Sequence, residues 1–114
     1  MAIPSGSGTE VLKVAKVHAM TNSTSTLITG VANHIYTIIS INFTNMSGSD
    51  ELIDMYVLQG GVTYMLLRKQ PIPTDSTFIF NDKIVISGAG NLQANLDTSG
   101  DCDVWVSYID QDWT

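Results

Sequence analysis

Charge is scarce in this sequence. Asp, Glu, Lys and Arg make up 14% of the residues, against about 25% in an ordinary soluble domain. Much of the surface must therefore be Ser, Thr, Asn, Gln and Gly, and such a surface suits repeated contact with other proteins. Bases are scarcer still. Five Lys and Arg face eleven Asp and Glu, for a net charge of −6. No basic stripe is present, which argues against capture of nucleic-acid phosphates. Cysteine occurs once, at Cys102, so no intrachain disulfide can form. Cys102 lies in an alternating apolar pattern and reads as a small buried hydrophobe, slow to react while the chain is folded. The two histidines, His18 and His34, are too far apart for the HxH, HxxxH or HExxH spacings of zinc sites. No apolar run approaches the ~20 residues of a membrane helix. The start of the chain, Met1-Ala2-Ile3-Pro4-Ser5-Gly6-Ser7-Gly8, has neither the basic nor the apolar region of a signal peptide. The expectation is synthesis and folding in a cytoplasm.

What is present is enough for one domain. The chain has 114 residues, 44% of them hydrophobic, and a domain of this size can bury a core without staples. The charge is uneven. From Asp97 onward there are five acids (Asp97, Asp101, Asp103, Asp110, Asp112) and no base. Solubility is the plain reason for such an end; contact with a basic partner or a cation is the sharper one. Residues 1–9 read as a flexible N-terminal arm, because Pro4 and the Ser-Gly-Ser-Gly run disfavour regular structure. Residues 10–114 read as a single β-sandwich domain. Three Asn-x-Ser/Thr sequons, at Asn22, Asn42 and Asn45, carry no meaning without a secretory route.

Short apolar runs recur between turn signals. Val11 to Met20 reads as a strand, although Val11, Val14 and Ala15 also fit a helical spacing. Ile35, Thr37, Ile39, Ile41 and Phe43 alternate with Tyr36, Ile38, Ser40, Asn42 and Thr44. This is the period-two pattern of a half-buried strand, with Ile38 the apolar exception on the outer face. Gly60-Gly61 between two apolar runs predicts a tight hairpin. Pro71 and Pro73 keep their region out of a central ladder. The loop 97–101 is expected to close a hairpin onto the last strand. Together the runs predict an all-β fold, an antiparallel β-sandwich of about eight strands. Ile35, Ile39, Ile41, Phe43, Leu92, Leu96, Val104 and Val106 are its expected core.

Catalytic signatures are missing. No GxSxG elbow appears, and a Ser-His-Asp triad would have to be assembled from scattered residues. Gly88-Ala89-Gly90 is not followed by the Gly-Lys-Ser/Thr of a phosphate loop. Asp97, Asp101 and Asp103 around Gly100 offer oxygen atoms to Ca²⁺ but lack the order of an EF-hand, and a plain acidic turn explains them better. Tyr36, Tyr56, Tyr64, Trp105, Tyr108 and Trp113 could form a carbohydrate platform, although large aromatics are more often core or interface residues. The expectation is therefore no enzyme, no cofactor and no metal. Trp113 stands apart, since an indole beside acids near a chain end is normally docked against something.

Four segments resemble small structural proteins of tailed bacteriophages. They are Ile3-Pro4-Ser5-Gly6-Ser7-Gly8-Thr9-Glu10-Val11-Leu12-Lys13, Asn33-His34-Ile35-Tyr36-Thr37-Ile38-Ile39-Ser40-Ile41, Phe78-Ile79-Phe80-Asn81-Asp82-Lys83-Ile84-Val85-Ile86 with the later Leu92, and Val106-Ser107-Tyr108-Ile109-Asp110. The resemblance implies a jelly-roll-like sandwich in a virion, made in the host cytoplasm. It implies a capsid decoration (cement) protein or, alternatively, a tail or fibre component that recognises a host glycan. It carries no functional residues with it. A cement protein implies a homo-oligomer, a trimer by closed symmetry, with the major capsid protein as partner and neither nucleic acid nor membrane. Its contacts are expected at the chain ends, on Ile3, Pro4 and Trp113.

Overall fold

A computed structural model describes residues 9–113. Nine strands make up the fold: β1 (Thr9–Met20), β2 (Ser25–Ile28), β3 (His34–Asn45), β4 (Glu51–Gln59), β5 (Val62–Ile72), β6 (Thr77–Phe80), β7 (Ile84–Ser87), β8 (Asn91–Leu96) and β9 (Cys102–Asp112). There is no helix among the described residues. The ambiguous first run is a strand throughout, and it begins at Thr9. The rest of the expected arm lies outside the described residues.

The strands form two antiparallel sheets. Sheet A has the order β1-β9-β3-β6, with β7 also on β3, and sheet B has the order β2-β8-β4-β5. β6 and β7 take opposite halves of one edge of β3 and act as a single interrupted strand. Counted so, eight strands cross from one sheet to the other at every step except β4 to β5, in a jelly roll. Only β4 and β5 are consecutive and paired as a hairpin. Its turn is Gly60-Gly61, with φ of 62° and 76°, as a tight turn of this kind requires. The expected hairpin between β8 and β9 does not form. β8 pairs β2 and β4, whereas β9 pairs β1 and β3. The acidic loop crosses from one sheet to the other because both neighbours of β9 are already taken.

The core lies between the sheets. Ile41, Phe43, Leu92, Leu96, Val104 and Val106 are buried in it as expected, with Ile38, Ile53 and Met55. Ile35 is also buried, but apart from this cluster. Ile39 is not a core residue. It is 36% exposed, while Ile38 is 0% exposed. The cause is a bulge: Ile38 pairs with Tyr108 and Ser40 with Ser107, so one residue of β3 is left over. One extra residue reverses the parity of a strand. Tyr36 and Ile38 point inward before the bulge, and Ile41, Phe43 and Asn45 after it. Gly30 marks the tightest backbone contact. A Cβ there would lie 2.1 Å from the Gly90 carbonyl oxygen, so any side chain forces the two loops apart.

Candidate functional site

The end of the sandwich that holds the start of β1 carries a charged cluster. The inward row of β9 runs Cys102, Val104, Val106 and Tyr108 and then reaches Asp110, which is buried. A bare carboxylate there would be costly. Lys13 of β1 donates to Asp110 Oδ2 and His34 Nδ1 of β3 lies at Oδ1, both at 2.8 Å. His34 Nε2 is 3.5 Å from Asp112 Oδ1. Burial alone would raise the Asp110 carboxyl, but the hydrogen bonds from Lys13 and His34 outweigh it and hold it below the usual carboxylate range. The same Asp110 bond raises Lys13 above the ordinary lysine value. The His34 ring stacks on Tyr36 at 5.9 Å, and burial pushes the Tyr36 phenol up. Its hydroxyl accepts from the Val31 amide. Every charge here has a protein partner, so the cluster ties three strand ends together.

The opposite end is closed by a neutral amide and a buried carboxylate held by hydroxyl groups. Asn45 is 0% exposed. Its amide donates to the carbonyls of Ser49 and Ile72, and its oxygen accepts from the Ser47 amide. Buried Glu51 accepts from Ser49 and Thr98 and so anchors the acidic loop. The three aspartates of that loop diverge. Asp97 pairs with Lys69 and Asp103 with His18, while Asp101 Oδ1 is buried without a partner. No three His, Cys, Asp or Glu converge as a metal would need among the described residues.

The two outward faces differ in chemistry. Sheet B presents Asp54, Gln93, Asn95, Thr26 and the Tyr56 hydroxyl, with Gln93 donating to the Thr26 hydroxyl and the Tyr56 hydroxyl bonded to that of Thr24. Sheet A presents Leu12, Val14, Ile39, Trp105, Ile79 and Val85, all exposed. Lys16, Trp105, Asn42 and Ile79 lie opposite one another across it. A shallow hollow of about 300 Å³ surrounds Trp105, lined also by Lys16, His18, Asn42, Thr44 and Asp103. Trp105 is 47% exposed, with the Lys16 ammonium 5.6 Å from its ring centre. The six large aromatics do not form one platform. Tyr36 is in the core and Tyr108 packs against it, Tyr56 and Tyr64 belong to sheet B, and Trp105 stands alone on the outward face of sheet A.

Of the contact residues expected from sequence, Ile3 and Pro4 lie outside the described residues. Trp113 is half-buried; its amide donates to the Asn33 carbonyl at 3.0 Å, and its indole Nε1 is buried without a partner. Sequence reasoning missed the Lys13–Asp110–His34 cluster. The alternation of β9 contained the signal, since it puts Asp110 on the same face as Cys102, Val104 and Val106. Cys102 is 0% exposed, and burial with help from Asp103 and Asp101 pushes its thiol up to about 12.

No protein-family model matches the sequence, and no curated protein matches it. Solved structures share the fold. A structure of Bacillus endospore appendages, described as disulfide-linked pili, matches with a TM-score of 0.59 at 12% identity, over 100% of this chain and 97% of that one. Infectious bursal virus-derived T=1 particles match with a TM-score of 0.57 at 12% identity, over 92% of this chain. The T13 particle of infectious bursal disease virus matches with a TM-score of 0.54 at 12% identity, over 90% of this chain. This chain spans 31% of each viral chain. At such identities the likeness is one of fold.

Proposed function

We propose that this protein is a structural component of a bacteriophage virion, a capsid decoration (cement) protein that joins neighbouring major capsid proteins. The observation that carries this reading is the outward face of sheet A. Six large hydrophobic side chains stand exposed on a hydrogen-bonded sheet, and a patch of this kind marks a surface made to be covered. Cementing needs a rigid body, a sticky face and reach. The jelly roll supplies the first, sheet A the second, and the N-terminal arm with Ile3 and Pro4 the third, with Trp113 as an anchor at the same end, since Thr9 pairs with the adjacent Asp112. A homotrimer is the closed assembly that suits such a unit. An assembly locked by disulfides fits this chain poorly, since its one cysteine is fully buried with its thiol pushed up to about 12.

The test is copy number and binding. A cement protein is present in hundreds of copies per particle and binds undecorated capsids in solution. A particle with a few to some tens of copies, and no binding to bare capsids, would sink the reading. Deleting residues 2–9, or cutting before Trp113, should weaken capsid binding while circular dichroism stays unchanged. The second reading is a tail or fibre module that holds a host glycan. The hollow around Trp105 favours it, because an exposed indole beside Asn42, Thr44 and Asp103 offers both stacking and hydrogen bonds.

A further inference from the structure

Strand edges are where sheets meet other sheets, and three of the four here are blunted. β2 has only 4 residues. β5 is bulged twice against β4, contains Pro71 and holds Lys69 at a φ of 51°. The remaining edge of sheet A is broken into β6 and β7, of 4 residues each. β1 is different. It has 12 residues, no proline and an unbroken register from Thr9 to Val17. Among the described residues it pairs only with β9. Lys13, the charge that could guard it, is turned to the inner face and neutralised by Asp110.

The outward row of β1 is Glu10, Leu12, Val14 and Lys16, all exposed. Set against itself in the antiparallel sense about Lys13, this row is its own complement. Glu10 meets Lys16, Leu12 meets Val14, and the reverse pairs repeat them. Opposite charges and apolar pairs placed directly across antiparallel strands are the favourable combinations. The inward row puts Val11 against Ala15, and the two Lys13 side chains face each other with an Asp110 each.

We propose that β1 pairs antiparallel with β1 of a second copy about a two-fold axis at Lys13, fusing two copies of sheet A into one continuous sheet. The occupant of this edge is a second copy of the chain because the charge pattern of β1 selects itself. The contact needs neither chain end and does not depend on the cement reading. In a trimeric cement protein it would join one trimer to the next.

Charge reversal tests it. Glu10→Lys and Lys16→Glu each place like charges opposite one another twice, and each should weaken self-association at low salt by about tenfold or more, read by sedimentation. The double variant E10K/K16E restores both pairs and should return association to that of the parent. Circular dichroism on all three separates this from misfolding. Register is read by mixing Leu12→Cys and Val14→Cys chains, which should form the mixed disulfide in preference to either self-linked dimer. A chain that stays monomeric at its highest soluble concentration overturns the proposal. So does a double variant as weak as the singles, or Val14→Cys linking mainly to itself. Linkage of Ile3→Cys on one copy to Val14→Cys on another would give the edge to the N-terminal segment and overturn it as well.

Discussion

Asn45 and Asp110 close opposite ends of one sandwich by opposite means. Asn45 is a neutral amide whose bonds go to backbone groups near it in the fold. Asp110 is a charge held by Lys13 and His34, side chains 97 and 76 residues away in sequence. The Asn45 side chain carries no charge, so its bonds depend on shape alone. The charged end depends on shape and on pH. The contrast teaches that a jelly roll can satisfy its buried polar groups locally or by long-range pairing, and that the two solutions respond to different perturbations.

Asn45→Ala should be the most damaging of the single changes considered. It strands the buried Ile72 carbonyl, worth about 1–3 kcal/mol, removes the partly buried bonds to Ser49 and Ser47 and leaves a void at a fully buried site, so a loss of about 3–5 kcal/mol is expected in urea unfolding, with the part due to these bonds the same at neutral and acid pH. A cost that grew as the pH fell would erase the distinction between the ends. Between the ends lies the bulge. Ile38→Ala removes a side chain with no exposed surface and should cost about 3 kcal/mol.

Asp110→Asn should cost about 1–3 kcal/mol at neutral pH. Lys13 is partly solvated, which keeps the loss below that of a fully enclosed pair. The sign of its pH dependence follows from the lowered carboxyl. The folded value lies below the ordinary 3.8, so its stabilisation is complete above that value and is lost as pH falls through the folded one. The parent should therefore lose stability steeply in that acid range, and Asp110→Asn should lose less. Parallel acid limbs for the two proteins would show that the charged end does not govern acid unfolding. Ile39→Ala, one residue along from Ile38, should cost under about 1 kcal/mol; equal melting losses for the two isoleucines would place the bulge elsewhere. Cys102, fully buried in the core, reports on burial. Its thiol, pushed up to about 12, should label slowly in the native chain and rapidly after unfolding.

Much of the fold was legible, because period-two alternation survives in single strands. β4 and β8 alternate cleanly in burial, as β9 does from Cys102 to Val106, and Gly60-Gly61 announced the hairpin between β4 and β5. The parity of β3 was not legible. Ile38 and Ile39 are both apolar, and nothing local says which faces inward once a bulge intervenes. The partner of β9 was not legible either, since a loop of turn-forming residues serves a hairpin and a sheet crossing equally well. The charged cluster joins three strands far apart in sequence, so only the inward parity of Asp110 hinted at it. The exposed face of sheet A had a similar fate. Leu12 and Val85 look like core residues until the sheets are assembled.

The bulge has a mechanical side. β3 is the spine of sheet A. Along one edge it pairs with β7 over Ile35–Ile38 and with β6 over Ile41–Thr44. Ile39 and Ser40 have no partner there, and Ile39 has none on β9 either. The leftover residue on one side and the gap between β6 and β7 on the other fall at the same height. On this side of sheet A β3 is thus flanked by two short ladders that meet at one height, where its inward parity changes, while β1 and β9 run past that height in unbroken register. A load applied across sheet A would bend it first on the β6–β7 side, where β3 has no partner at Ile39, with the continuous β1–β9 ladder acting as the hinge.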